Sequence, residues 1–483
     1  MTDALAPARR CDWVDQLRGW AVLVMIEVHC VNTWLDLKLR PDWLNYLNGL
    51  VAPSFLLCAG FSLVLSTFRP DGTIRPFKDS LGRYAFILLC AYALHAPGFT
   101  LAEWTVLNTI QKGRELFKID VLQCTVYSLL ILQGLARALR NPRLFTVVAG
   151  LLAGYVAFIS PYLWASGVGD GLWLPVRGLL NGNVDRGVQA LFPLFPWLAF
   201  VAFGSFLGGL YRLTRVEAVE GRTRLAEPRF LAGLFVLGLG LWLFGWRFKE
   251  TWLWGGTWHQ FADGGWRLVG RFGTWSWNEL QALHNTTLPS VAERLGWICM
   301  GGAALGFVEL RRPRWRGPNP FDAAAKESLL LYMLHLNLIF SVLMPPSVVA
   351  VTGLEWNSQG WPATILLTLL VAGASLAAGV AWQEVRATPE RMRGLQRAGL
   401  AALAVWFLAG GWWTFRHYLQ SPELAREPYP FLNAARARKG LAPTPDGLTR
   451  DPEEYFREAA RRKVRINELA KAKIAEAIRA RKP

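Results

Sequence analysis

The chain has 483 residues, of which 53% are hydrophobic and only 18% charged, and its mean hydropathy is +0.24. Charges that bunch between apolar runs of membrane-spanning length mark a polytopic membrane protein and exclude a soluble enzyme with one large core. The net charge of +17 does not point to nucleic acid. The arginine clusters sit in every second loop, as the positive-inside rule requires.

In chain order, about eleven spans can be drawn, each near the roughly 20 residues a helix needs to cross a bilayer. They run about 17–36, 46–66, 83–101, 121–137, 144–164, 191–211, 230–247, 290–309, 327–345, 362–383 and 398–415. The basic loops follow the even-numbered spans. After the second lie Arg69, Arg75, Lys78 and Arg83, and after the fourth Arg137, Arg140 and Arg143. Arg212 and Arg215 follow the sixth, Arg311 and Arg312 the eighth, and Arg386 and Arg391 the tenth. These loops share one side when the N-terminus is placed in the cytoplasm. The expected fold is therefore an all-α bundle in the cell membrane, spanning 1–419. A polar linker and a basic charged helix over 420–483 follow it, with Asp451 as N-cap and Pro452 at the first helical position.

The first span, DQLRGWAVLVMIEVHCVNTWL, carries Asp15, Arg18, Glu27, His29 and Asn32. An ionisable group inside a spanning helix costs a few kcal/mol, and by default it marks a functional site. At about 100° per residue, Arg18 and His29 fall within roughly 20° of one another. Asp15 and Asn32 lie near the same line, and Glu27 points almost the opposite way. One polar stripe therefore leads from Arg18 at a membrane surface to His29, about 16 Å deeper.

The remaining signals are weaker. The six cysteines are scattered without a CxxC pair, so neither a disulfide framework nor a zinc site is indicated, and no metal is expected. Arg9 and Arg10 before the first run resemble a signal peptide, but no small-residue cleavage site follows. The loop from about 248 to 288 holds Trp252, Trp254, Trp258, Trp266, Trp275 and Trp277. It reads equally as an interfacial aromatic belt with a short re-entrant segment or as a stacking platform for sugar rings. The glycine pairs Gly208–Gly209 and Gly301–Gly302 read as close helix packing and not as a phosphate cradle.

DQLRGWAVLVMIEVH is similar to the "LRG…H" opening of the transmembrane acyltransferases. APSFLLCAGFSLVLS, IDVLQCTVYSLLIL, FPLFPWLAFVAFG and SLLLYMLHLNLIF resemble the branch typified by the heparan-alpha-glucosaminide N-acetyltransferase family, over about 15–345. The resemblance implies an integral membrane enzyme. It would carry an acyl group, usually acetyl, from cytosolic acetyl-CoA to a sugar hydroxyl or amine of an extracytoplasmic glycan. His29 and Arg18 match the motif histidine and arginine. One departure is that the loop after the first span, DLKLRPDWLNYLNG, lacks the histidine that the heparan-type enzymes place there.

Read from its chemistry, His29 is a general base or a transient acyl carrier, against the bland reading of a structural histidine between helices. Arg18 is a CoA-phosphate contact or a snorkelling anchor, and Asp15 one turn earlier pairs with it. Arg69, Arg75, Lys78 and Arg83 are the further candidates for the CoA phosphates. Ser328, Tyr332 and His335 share a helix face, so Tyr332 and His335 line the same cavity or form a bond that holds two helices. Asn32, Asp120 and Gln123 are candidate acceptor contacts, and capping is the alternative for Asp120. Glu27 is an alternative base. The rival reading is a transporter of a glycan precursor or proton-coupled solute. No second copy of the first-span motif supports the internal repeat that transporters commonly show. Acceptor identity and homo-oligomerisation stay open.

Overall fold

The computed structural model describes residues 12–420, apart from 70, 97, 106–114, 166–171, 181–189, 218–225, 250–256, 261–265, 271–272, 277–285, 312–319, 341–347, 349–353 and 355–356. The chain divides into two compact units. The first comprises residues 1–94, 118–183 and 190–392, and every candidate site residue lies in it. The second comprises 95–117, 184–189 and 393–483. In that unit, Gly411 lies against the backbone of Leu101 and Ala102.

The first unit is built from α1 (Asp12–Trp34), α2 (Asp42–Asn48), α3 (Val51–Thr67), α4 (Lys78–Ala93) and, skipping the short α5 (Leu101–Thr105) of the other unit, α6 (Val121–Leu139). There follow α7 (Pro142–Ala165), α8 (Leu174–Leu180), α9 (Leu194–Glu217), α10 (Ala226–Phe248), α11 (Leu288–Arg311), α12 (Pro320–Lys326), α13 (Ser328–Phe340) and α14 (Trp361–Ala387). Among the described residues, eight helices are long and apolar enough to cross a membrane. The count of eleven is reached only by adding three that fall short of that description. Polar residues lower the mean hydropathy of α1, α4 has 16 residues, and α13 has 13.

The tryptophan-rich loop contains extended structure where no span was drawn. It folds as a three-stranded antiparallel sheet, β1 (Thr257–Gln260), β2 (Trp266–Gly270) and β3 (Gly273–Ser276). Its register pairs Trp258 with Leu268 and Leu268 with Trp275. Aromatic and β-branched residues, among them Thr257, Trp258, Val269, Thr274 and Trp275, favour strands here over helix. Trp252, Trp254 and Trp277 lie outside the described residues, as does the tail over 421–483.

Lipid tails are as apolar as leucine, so packing and polar contacts, more than expulsion of water, hold spanning helices together. Glycines supply the close approaches. A Cβ on Gly60 would strike the Val201 carbonyl, and one on Gly204 the Leu57 carbonyl, so α3 and α9 pack backbone to backbone. Ser205 Oγ donates across this seam to the Gly60 carbonyl at 3.0 Å. Gly208 meets the Phe61 backbone in the same way and Gly209 the Thr146 side chain, whereas Gly301 meets nothing. Around α1, a core of Ile26, Cys30, Trp34, Ile339 and Val371 ties it to α13 and α14. A second core of Val22, Ala324 and Leu331 brings in α12. These two clusters decide what His29 faces.

The end of α1 is fastened by hydrogen bonds. Asn357 N and Gln359 N donate to the carbonyls of Thr33 and Trp34, each at 2.8 Å, and Asp36 N to that of Gln359 at 2.9 Å. Arg40 folds back over the same end, donating to Asn32 Oδ1 at 2.8 Å, the Val31 carbonyl at 3.1 Å and Asn357 Oδ1 at 3.2 Å. Four acceptors surround this guanidinium: two side-chain amide oxygens and, at the helix end, the Val31 and Leu35 carbonyls.

Candidate active site

The site is assembled where α1, α13 and α6 meet. The His29 and His335 rings lie 5.2 Å apart between centroids, and Phe340 stands edge-on to His29 at 5.9 Å. His29 is half-buried, whereas His335 is fully buried. His335 Nδ1 lies 2.7 Å from the Leu331 carbonyl. A carbonyl only accepts, so Nδ1 carries the proton in the neutral ring and Nε2 presents its lone pair. That Nε2 is buried and has no hydrogen-bond partner among the described residues. The bundle therefore holds a histidine with one nitrogen fixed by its own helix and the other open, next to the motif histidine.

Tyr332, one turn before, packs edge-on to His335 at 5.7 Å. Its hydroxyl donates to Asp120 Oδ2 at 3.0 Å and not to the histidine. The tyrosine thus links α13 to the start of α6. Asp120 is the N-cap of α6 in a capping box with Gln123: its Oδ1 accepts from Val121 N at 2.6 Å, and Gln123 Oε1 accepts from Asp120 N at 3.1 Å. Gln123 Nε2 donates to the Ala91 carbonyl at 3.1 Å. Both side chains thus serve the protein itself in this state: capping, with an added tie to Tyr332.

The rest of the polar stripe lies apart from this cluster. Arg18 donates to Asp15 Oδ1 at 3.3 Å, the pairing expected from their spacing, and to Ser62 Oγ of α3 at 2.6 Å. The Ser62 contact has no sequence signal, because it bridges 44 positions. Asn32 is exposed and accepts from Arg40. Glu27, on the other face of α1, stands beside Asn48 and Arg40, so it does meet polar groups of a neighbouring element.

At the end where α1 begins, the chain between α3 and α4 forms a small hairpin with a bridge between Phe68 and Ile74. Arg212 Nη2 donates to the Arg69 carbonyl at 2.7 Å and Arg137 Nη2 to the Arg75 carbonyl at 3.1 Å. The two arginines also lie over the rings of Phe68 and Phe77. They fix the hairpin backbone. Arg69, Arg75, Lys78 and Arg83 themselves are exposed, as a charged ligand's contacts must be. Asp71 at the hairpin tip accepts from Thr73 N and Oγ1, and those bonds hold its carboxyl below the usual carboxylate range. No group of three or more histidine, cysteine or acidic side chains suited to a metal occurs among the described residues.

The polar stripe, His29 and the basic hairpin lie in the first half of the chain, which is the part a comparison with known families covers. Residues 10–244 match the family "Heparan-alpha-glucosaminide N-acetyltransferase, catalytic". The similarity read from the first-span motif is borne out. The matched region contains Arg18, His29, the basic hairpin, Asp120 and Gln123; His335 and Tyr332 come from beyond it. No curated protein matches the chain. The family is one of membrane acetyltransferase catalytic domains, so a transferase is the class of activity it implies.

Proposed function

We propose that the protein is a multi-pass acyltransferase of the cell membrane that takes an acetyl group from cytosolic acetyl-CoA. It delivers that group to a hydroxyl or amine of a glycan on the opposite side, as a modification of the cell envelope. The observation that carries this reading is the His29–His335 pair, in a chain whose first half matches an acetyltransferase catalytic family. Acetyl-CoA is too polar to cross a bilayer, so the site must be reached from both sides. The exposed Arg69, Arg75, Lys78 and Arg83 supply positive charge for the CoA phosphates at the end where Arg18 lies, and the pantetheine arm runs between helices toward His29.

In the transfer, the acceptor oxygen or nitrogen attacks the thioester carbonyl and the carbon–sulfur bond breaks. The acceptor proton passes to a histidine nitrogen and from there to the departing CoA thiolate. In this reading His29 takes that proton. His335, whose Nε2 lone pair is open, holds it in the interval. Arg18 and Asp15 act as the entry of the track, and Tyr332 and Asp120 keep α13 in place.

The test uses the full chain in nanodiscs with radiolabelled acetyl-CoA, with and without a crude envelope glycan fraction, for wild type and His29→Ala. Glycan-stimulated CoA release that vanishes in the variant is the expected result. Release that survives His29→Ala moves the chemistry to His335. No release with any glycan, together with no CoA binding, retires the enzyme reading in favour of transport.

A further inference from the structure

Helix register sets a second buried polar group opposite His335. On α13, Leu331, His335 and Ile339 follow at i, i+4 and i+8, and all are buried. On α14, Val371, Ser375 and Gly379 do the same. The two stripes are pinned at both ends. A Cβ on Gly379 would stand 2.9 Å from Leu331 Cδ1 and 3.8 Å from Glu327 Cβ. Beyond it, Arg386 Nη2 donates to Glu327 Oε1 at 2.7 Å. At the other end, Val371 and Ile339 belong to one core cluster. Residue numbers that rise along α13 therefore fall along α14, so the helices run antiparallel. Both stripes have the same length, about 12 Å at 1.5 Å per residue, and their midpoints, His335 and Ser375, lie at one level.

Both midpoints are fully buried. Ser375 Oγ and His335 Nε2 each lack a hydrogen-bond partner among the described residues. Buried polar groups are nearly always satisfied, and one bond between these two satisfies both. Ser375 gains that partner by rotation about χ1 from one staggered position to another, so no ligand-sized cavity is called for.

The chemistry suits the role given to His335. Its Nδ1 is committed to the Leu331 carbonyl at 2.7 Å, so a proton taken up arrives at Nε2. A hydroxyl both donates and accepts. It donates to the Nε2 lone pair of the neutral ring and accepts from Nε2–H of the charged one, when its own proton turns to the Val371 carbonyl one turn back. Trp34 Nε1 is also buried without a partner, but an indole only donates and does not serve the charged ring.

We propose that Ser375 is the positioning residue of His335, its hydroxyl being the hydrogen-bond partner of Nε2 in both states of the ring. The role in transfer rests on the acyltransferase reading above; the bond itself does not.

The experiment is solid-state nitrogen NMR on the full chain in nanodiscs with isotope-labelled histidine, beside acetyl-CoA turnover with the crude envelope glycan fraction. Wild type, Ser375→Ala and Ser375→Cys are compared, and His335→Asn assigns the His335 signals. The Nε2 resonance is expected to return to the position of a free lone pair in Ser375→Ala, and part of the way in Ser375→Cys, whose thiol is a weak donor. In Ser375→Ala, kcat should fall about 3- to 10-fold, the effect of one lost hydrogen bond, with the KM for acetyl-CoA unchanged. Should Ser375→Ala not fold, Ser375→Cys decides. An Nε2 resonance equal in wild type and both variants overturns the bond, and a resonance that moves without any change in kcat overturns the positioning role. A resonance that depends on Ser375 in a protein that releases no CoA retires acyl transfer and leaves the bond standing. CoA release with an unmoved resonance retires the bond alone.

Discussion

At the scale of single residues, His335 makes the sharpest prediction. His335→Asn retains a donor near the Leu331 carbonyl but has nothing in place of Nε2, and His335→Gln does the reverse. If Nε2 holds the proton in transit, His335→Asn lowers kcat by about 100-fold, within the range of general acid–base catalysis, with little change in the KM for acetyl-CoA. His335→Gln, whose amide takes up no proton either, then loses kcat in the same way while CoA binding is kept. Steady-state kinetics on both variants checks this, and equal kcat in His335→Asn and wild type removes the histidine from the mechanism. Tyr332→Phe takes the donor from the buried Asp120 Oδ2 and should destabilise the protein by about 1–3 kcal/mol, read as a lower melting temperature. His29, Arg18 and Asp15 were legible in the sequence from their spacing and from charge inside an apolar run. Ser62, Phe340 and the Leu331 carbonyl were not, since nothing in a one-dimensional pattern says which distant side chain completes a contact.

At the scale of elements, the seam between α3 and α9 leaves no room for added side-chain volume. Gly204→Leu would drive a side chain into the Leu57 carbonyl region, and overpacking of this kind costs about 1–3 kcal/mol or more. Loss of monodisperse protein on size-exclusion chromatography is the expected outcome. Gly301→Ala, which meets open space, is the control that should behave as wild type. The glycine pair of α9 was legible as packing, though not its partners. Helix boundaries followed the apolar runs closely for α3, α6, α7 and α14. The strands between α10 and α11 were not legible, because tryptophan content carries no register, whereas the pairing of Trp258, Leu268 and Trp275 is set by strands that must find one another.

At the scale of the whole molecule, the distribution of positive charge makes the prediction. Replacing Arg69, Arg75, Lys78 and Arg83 together by Ala should raise the KM for acetyl-CoA about tenfold and flatten its dependence on salt, because exposed charges act within a Debye length of about 8–10 Å. Unchanged KM and salt response would put the CoA phosphates elsewhere. Arg137→Ala or Arg212→Ala should instead loosen the hairpin, since these two donate to its backbone, and faster proteolysis between residues 68 and 77 would show it.

The sequence by itself determined the class of this protein. Runs of apolar residues fix spanning helices locally, because a backbone in lipid must satisfy its own hydrogen bonds, and an LRG…H spacing fixes which side chains share a stripe. Only the tertiary structure decided what that stripe faces. The packing of Ile26, Cys30 and Trp34 against Ile339 and Val371 brings His335 to His29 across 306 positions of sequence (335 less 29). The same packing leaves Glu27 on the other side with Arg40 and Asn48. Helix periodicity states a direction around one axis; the neighbour found in that direction depends on how all the helices fill space together.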